Sequence, residues 1–270
     1  MPSTTEARIA FRKYFSWYWF PTIGSIVWIG TLLSLLITWF ATGSPLYGGM
    51  GRRGQYIPYI SNIGADFLKP LFITGSCITA ICFVLSLFGA RWLRHRGRIL
   101  PNTSTRQKIL SIVSIVGAII GGLGLILLAI FDTHRYSVLH RIFLAVFCGG
   151  VLVSALGTVL EYWGLERNYS KTSRALTISM WTKLVFFFIE LGLAVAFGVL
   201  MTNRINNAAA VVEWVLGILF TGYLLSFNLD LIPATRSRTG QFKDMELARP
   251  VSTSEEPMTA RSTPSEAVVG

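Results

Sequence analysis

Acidic residues are scarce in this chain: 13 Asp and Glu stand against 24 Lys and Arg in 270 residues, and charged side chains make up only 14% of the total. So few charges cannot cover the outside of a water-soluble domain of this length, because 52% of the residues are apolar and the mean hydropathy is +0.56. Cysteine is also sparse. Cys77, Cys82 and Cys148 all fall inside apolar runs, which excludes a loop disulfide framework, and none stands at metal-ligand spacing with a histidine. They read as small packing residues, and neither a metal nor a cofactor is expected. Missing too are the GxSxG, HExxH, P-loop and dinucleotide fingerprints, so no catalytic class is indicated and the chain reads as non-enzymatic. Pro2 excludes N-myristoylation, and the closing AVVG carries no prenylatable Cys.

What the sequence does have is long apolar runs. A hydrocarbon core about 30 Å thick requires about 20 mostly apolar residues per helical crossing. Six segments supply them: 20–40, 70–90, 109–131, 142–160, 178–201 and 208–227. A β-barrel needs alternation of polar and apolar residues, which runs such as ILSIVSIVGAIIGGLGLILLAIF lack. The fold class is therefore an all-α integral membrane protein, a bundle of six transmembrane helices. Three parts are expected: a basic N-terminus over 1–16, a six-span membrane domain over 17–230, and a disordered tail over 231–270, rich in Ser, Thr, Pro, Glu and Arg. The first apolar run is too long for a cleavable signal and reads as a signal-anchor. In the tail, Arg249-Pro250-Val251-Ser252 and Thr263-Pro264 resemble kinase sites.

Basic residues orient the bundle. Fifteen Lys and Arg flank the spans on the side of the N-terminus, the second and fourth loops and the tail, against six on the other side. By the positive-inside rule both termini are cytosolic. The sequons Asn102-Thr103-Ser104 and Asn168-Tyr169-Ser170 then lie in cytosolic loops and should remain unglycosylated. The net charge of +11 points to anionic lipid rather than nucleic acid, since no separate soluble domain exists to carry a nucleic-acid surface. Arg91, Arg94, Arg96, Arg98, Arg106 and Lys108 are the candidates for contact with anionic phospholipid headgroups, phosphoinositides included, beside their plain role as a topological signal.

On the opposite face, the loop 41–69 is the longest and glycine-rich before the segment YIPYISNIGADF, which can fold back over the helix ends. Tyr59, Ser61, Asn62 and Asp66 belong to it. The short loop DTHRYSVLH adds Asp132, His134, Arg135 and His140 at the same face. A His-and-Asp cluster can serve acid-base chemistry or bind a headgroup, but in a short loop such residues more often satisfy helix ends.

Inside the membrane, Gly117, Gly121 and Gly124 recur at helical spacing in the third span, and Gly150, Ser154 and Gly157 in the fourth, a pattern that lets two backbones approach closely. Packing within one chain is the preferred reading, a homodimer face the alternative. Ionisable groups in lipid are costly unless they face protein, water or a ligand. Lys183 and Glu190 share one face of the fifth span, where Lys183 can reach Glu190 through water or meet a lipid phosphate. Glu213, Gly217, Thr221 and Asn228 share a stripe of the sixth. Their helical positions put Glu190 and Glu213 at different depths, which argues against a direct carboxylate pair. These groups line a polar groove or stabilise the bundle.

The segments YIPYISNIGAD (56–66), FDTHRYSVLH (131–140), Glu213-Trp214 and FNLDL (227–231), in that order along six spans, resemble the FRAG/DRAM/SFK family, also called the CWH-type N-terminal domain. The match extends from Phe11 to about Pro233 and looks most like the fungal SFK branch. The resemblance implies a multi-pass plasma-membrane protein that supports a phosphatidylinositol 4-kinase complex and maintains phospholipid asymmetry between leaflets. Other branches imply GPI-anchor lipid remodelling in the endoplasmic reticulum, or autophagy at lysosomal or vacuolar membranes. From the residues themselves, a lipid or ion translocator using Glu190 and Glu213 remains a rival to the non-catalytic lipid-organising reading.

Overall fold

In the computed structural model, residues 16–48, 50, 54–102, 104–169 and 174–242 are described. The basic residues Arg8, Arg12, Lys13, Arg52, Arg53 and Lys171, the sequon positions Thr103 and Ser170, and the chain from Lys243 onward with both kinase-like motifs lie outside them. Six helices long and apolar enough to cross a membrane are present among the described residues. They are α1 (Trp19–Ala41), α3 (Lys69–His95), α4 (Thr105–Ile130), α5 (Ser137–Tyr169), α6 (Arg174–Thr202) and α7 (Asn206–Ser226). Two short helices, α2 (Ile60–Gly64) in the long loop and α8 (Asn228–Leu231) after α7, complete the set with a 3-10 turn at Pro233–Thr235.

Sequence dictates several of the helix boundaries. Pro70 stands in the first turn of α3, where its missing N–H costs nothing. Ser104 and Gln107 form a reciprocal capping box that starts α4. Helices α3, α4 and α5 outrun the expected spans, because charged residues past the apolar core still continue a helix once it is nucleated. Arg91 and Arg94 thus lie in the last turns of α3, Arg106 and Lys108 in the first turn of α4, and His140 and Arg141 on α5 rather than in a loop. At 33 residues α5 is about 50 Å long, well beyond the hydrocarbon thickness, and carries Glu161 and Tyr162 to the end of the bundle.

The spans form a closed ring in the order α1, α3, α4, α5, α6, α7 and back to α1. Chain connections alternate between two ends. The basic end holds the α3–α4 and α5–α6 connections, the start of α1 and the end of α7; the long-loop end holds the other three connections. Lipid-facing positions carry Ile26, Ile37, Val195 and Phe188, all exposed. Side chains pointing to the ring's centre include Trp28, Phe83, Phe220, Tyr223 and Phe227, in edge-to-face contacts with centroids 5.3–6.3 Å apart.

The closest approach is between α4 and α5, as the glycine spacing suggests. A Cβ on Gly121 would stand 2.9 Å from the Val151 backbone N, one on Gly124 2.6 Å from the Phe147 N, and one on Gly157 2.6 Å from Ser114 Oγ. These are intrachain contacts, so the small face is consumed within the bundle.

Residues 231–242, expected to belong to a disordered tail, are packed on the bundle. Leu231 and Ala234 are buried with Ala90, Leu93 and Ile99, and the chain then runs along the α3–α4 connection, where Gly240 N donates to the Arg96 carbonyl (3.0 Å) and Phe242 N to the Gly97 carbonyl (3.2 Å). The apolar Leu231-Ile232-Pro233-Ala234 sequence, followed by donors that meet the carbonyls ending α3, explains the difference.

Candidate functional site

At the long-loop end, a vestibule of about 1090 Å³ opens between the loop, the start of α5, the end of α6 and the start of α7. Tyr59, Ser61, Asn62, His134, His140 and Glu213 line it together with Arg141 and Arg204, which no sequence argument singled out. Below it, at the centre of the ring, lies a smaller apolar cavity of about 80 Å³, lined by Trp28, Phe72, Leu125, Val151 and Phe220 and by two carboxylates, Glu190 and Glu213. Leu144, Phe197 and Glu213 line both, so the two spaces adjoin across these side chains.

The roof of this site is built by the loop segment that the sequence marked as structured. Asn62 Oδ1 accepts from Tyr59 N (3.0 Å) and starts α2. Glu213 Oε2 accepts from Ile60 N (2.9 Å) at the positive end of that short helix, and Trp214 Nε1 donates to the Pro58 carbonyl (3.0 Å). Asn207 Oδ1 accepts from Tyr56 N and Ile57 N (2.8 and 3.0 Å) while its amide donates to the Gly54 carbonyl (2.9 Å). The loop is thereby fixed across the start of α7. The Tyr59 phenol is pushed up to about 12, by burial first and then by the Glu213 carboxylate, so it acts as a hydroxyl donor at any physiological pH. Asp66 is exposed beyond this contact.

Of the His-and-Asp group, Asp132 and His140 are buried structural residues. Asp132 Oδ2 accepts from Lys69 Nζ (2.7 Å), and its other oxygen accepts from His134 N and Arg135 N (3.1 and 2.7 Å), turning the chain into α5. Burial raises the Asp132 carboxyl, but the hydrogen bonds from Lys69 and Arg135 and the two positive charges outweigh it and hold the group below its ordinary range. His140 Nδ1 faces the carbonyls of Leu128 and Phe131 (2.9 and 3.0 Å), closing the end of α4. His134 and Arg135 are exposed.

The Glu213 stripe of α7 faces α1. Trp28 Nε1 donates to the Gly217 carbonyl (2.9 Å), Ser25 Oγ to the Thr221 carbonyl (3.2 Å), and Asn228 Nδ2 to Thr22 Oγ1 (2.9 Å). Asn228 therefore joins two helices through its side chain, while Thr221 offers only its carbonyl and turns its hydroxyl to the Gly217 carbonyl of its own helix (3.3 Å). Glu190 is 4% exposed, and its Oε1 has no hydrogen-bond partner among the described residues although it lines the central cavity. The shared cavity brings Glu190 and Glu213 to one space, with no direct bond between them.

Lys183 does not reach toward Glu190. Its ammonium, 0% exposed, is 2.5 Å from Asp230 Oδ2 and 2.8 Å from Ser179 Oγ, and it lies 4.7 Å from the centroid of the Tyr162 ring. The partner was hidden in the FNLDL motif, three residues past the last apolar stretch. Beside it Arg94, 5% exposed, pairs with Glu161 (3.3 Å) and lies over the Tyr162 ring (4.8 Å from its centroid), and Asn102 donates to Glu161 (3.0 Å). Arg94 is accordingly not available to a lipid headgroup, because a buried carboxylate has drawn it inward. Among the other five basic candidates, Arg98 donates to the Ala234 carbonyl (2.5 Å) and Arg91 to the Lys108 carbonyl (2.9 Å). Arg96, Arg106 and Lys108 are exposed, Arg96 over the Trp92 ring.

Comparison with known proteins agrees with this architecture. The family model described as Frag1/DRAM/Sfk1/Cwh43P N-terminal domain matches residues 16–234, from just before α1 through the turn after α8. Protein SFK1 of Saccharomyces cerevisiae is 27% identical over 190 residues, which is 60% of this chain and 54% of that protein, so the chain spans about half the length of this relative. No solved structure matches. Six membrane-crossing helices, the motif-bearing loop locked onto Glu213 and Trp214, and a family match over most of the chain lead to one conclusion: this multi-pass integral membrane protein belongs to the Frag1/DRAM/Sfk1/Cwh43P N-terminal domain family.

Proposed function

We propose that the protein is a non-catalytic organiser of membrane lipids at the plasma membrane, holding a phospholipid headgroup in the vestibule and anionic lipid at its basic, cytosolic end. The carrying observation is a polar vestibule adjoining an apolar cavity, an arrangement suited to an amphipathic ligand. On its rim Arg141 and Arg204 make no ion pair within the described residues, and planar guanidinium groups match the oxygens of a phosphodiester. At the other end Arg96, Arg106 and Lys108 project outward, each adding about 1 kcal/mol of attraction to an anionic leaflet. That surface is the proposed contact for phosphoinositides and for a phosphatidylinositol 4-kinase complex, a role that follows from the family resemblance.

The cellular test compares cells with and without the chain. Loss should raise phosphatidylserine on the outer face and lower plasma-membrane phosphoinositides, and the intact chain should restore both. If neither changes, the protein does not organise these lipids.

A further inference from the structure

We propose that the bundle conducts protons from the vestibule to the basic end through a file of carboxyl and hydroxyl groups along the ring's centre. Buried polar side chains, each surrounded by apolar and aromatic neighbours, follow one another down this axis. Counting the helical rise inward from the long-loop end puts Glu213, Glu190, Tyr223 and Lys183 at depths of about 10, 18, 25 and 28 Å. Glu213 and Glu190 share the central cavity, and Tyr223 lies near both Glu190 and Thr158. On α5, Ser154, Thr158 and Tyr162 are buried at four-residue spacing and form a hydroxyl stripe leading toward Asp230 and Lys183.

Unmatched atoms mark this file. Glu190 Oε1 and Ser154 Oγ are buried with no hydrogen-bond partner among the described residues, while the Tyr223 hydroxyl meets Thr158 and the Tyr162 hydroxyl meets Asp230. Native bundles rarely leave such groups unsatisfied, and in hydrocarbon each costs several kcal/mol, so the free Glu190 oxygen at the cavity points to a polar occupant there. The cavity volume of about 80 Å³ has room for several water molecules, and it offers two carboxyl groups to bind them. Glu213 from α7, Glu190 from α6 and Cys148 from α5 are the titratable groups lining this space, Tyr223 lies beyond it near Glu190, and no Lys, Arg or His lines it among the described residues.

The occupant that can travel the whole axis is a proton. Below the cavity Phe83, Phe187, Phe220, Tyr223 and Phe227 close the ring, each 9% exposed or less, which bars a hydrated metal ion. A proton needs only donors and acceptors bridged by single waters. It enters from vestibule water onto Glu213 or Glu190 and passes to the Tyr223 hydroxyl as that hydroxyl releases its own proton toward Thr158 and Tyr162. Tyr162 hands its own proton to the Asp230 carboxylate as it receives one, and Asp230 releases that proton into water, returning to the carboxylate paired with Lys183. One O–H bond forms for each that breaks, and one positive charge crosses.

The test uses the full chain reconstituted into liposomes containing a pH-sensitive dye, with a potassium gradient and valinomycin to set the potential. Proton entry should run severalfold faster than in protein-free liposomes, fall to the protein-free rate with Glu190→Gln, and be accompanied by no sodium flux. Tyr223→Phe keeps the ring packing and removes only the hydroxyl, so it serves as the second variant should Glu190→Gln fail to purify as a monodisperse species. A wild-type rate equal to that of protein-free liposomes, or an undiminished rate in Tyr223→Phe, overturns the proposal.

Discussion

Gly150→Ala should destabilise the bundle by about 3 kcal/mol or more, while Gly149→Ala one residue earlier should be nearly neutral. An added Cβ at Gly150 would stand 2.5 Å from Gly121 Cα and 2.8 Å from the Gly117 carbonyl oxygen. Both obstacles are backbone atoms, which no rotamer change can move aside. Relief would require α4 and α5 to separate along the contact that also involves Gly124 and Gly157. Separation forfeits dispersion contacts, the main attraction between helices where lipid supplies no hydrophobic drive. At Gly149 nothing lies within 4 Å of the same atom, so alanine there meets only open space. Unfolding in mixed detergent micelles measures the difference, and equal midpoints for the two variants would show that this helix contact is looser than described.

The second large effect is at the basic end. Lys183→Met should cost about 3–5 kcal/mol, because it leaves Asp230 buried without its ammonium partner. The Asp230 side chain is 5% exposed and also accepts from Ser179 Oγ at 2.5 Å, a bond that cannot by itself balance a charge in this setting. Replacing both partners, Lys183→Met with Asp230→Leu, should recover most of the loss, since the penalty comes from the orphaned charge rather than from the lost pair. The same unfolding assay reads both variants. A double variant as unstable as the single one would mean that the pair organises the adjoining Arg94–Glu161 cluster as well as satisfying itself.

Much of this architecture can be read from residue patterns, for identifiable reasons. Apolar run length specifies six crossings because the bilayer imposes a minimum length, and the glycine spacing of α4 and α5 specifies their contact because only small residues allow backbones so near. Glu213-Trp214 and the YIPYISNIGAD segment appear separately in the chain; that they bind each other depends on the ring bringing α7 beneath the long loop. The Lys183–Asp230 pair was illegible for a similar reason. Asp230 is 47 residues from Lys183 and lies outside the apolar runs, so helical spacing on one element could not connect them. Arg94 shows how composition misleads: in a run of basic residues, one turned inward looks the same as those facing lipid, and the partner that distinguishes it, Glu161, sits on another helix. Arg141 and Arg204 were counted only as charges on the sparsely basic side, and their convergence on one vestibule depends on the ends of α5 and α6 being neighbours in the ring.

The vestibule as a phospholipid site is tested most directly by native mass spectrometry of the full chain released from its own membrane. The wild-type protein should retain a phospholipid, and the Arg141→Glu, Arg204→Glu double variant, with both rim cations reversed, should lose it while remaining folded. Equal retention of the same lipid by wild type and double variant would contradict a headgroup held in the vestibule.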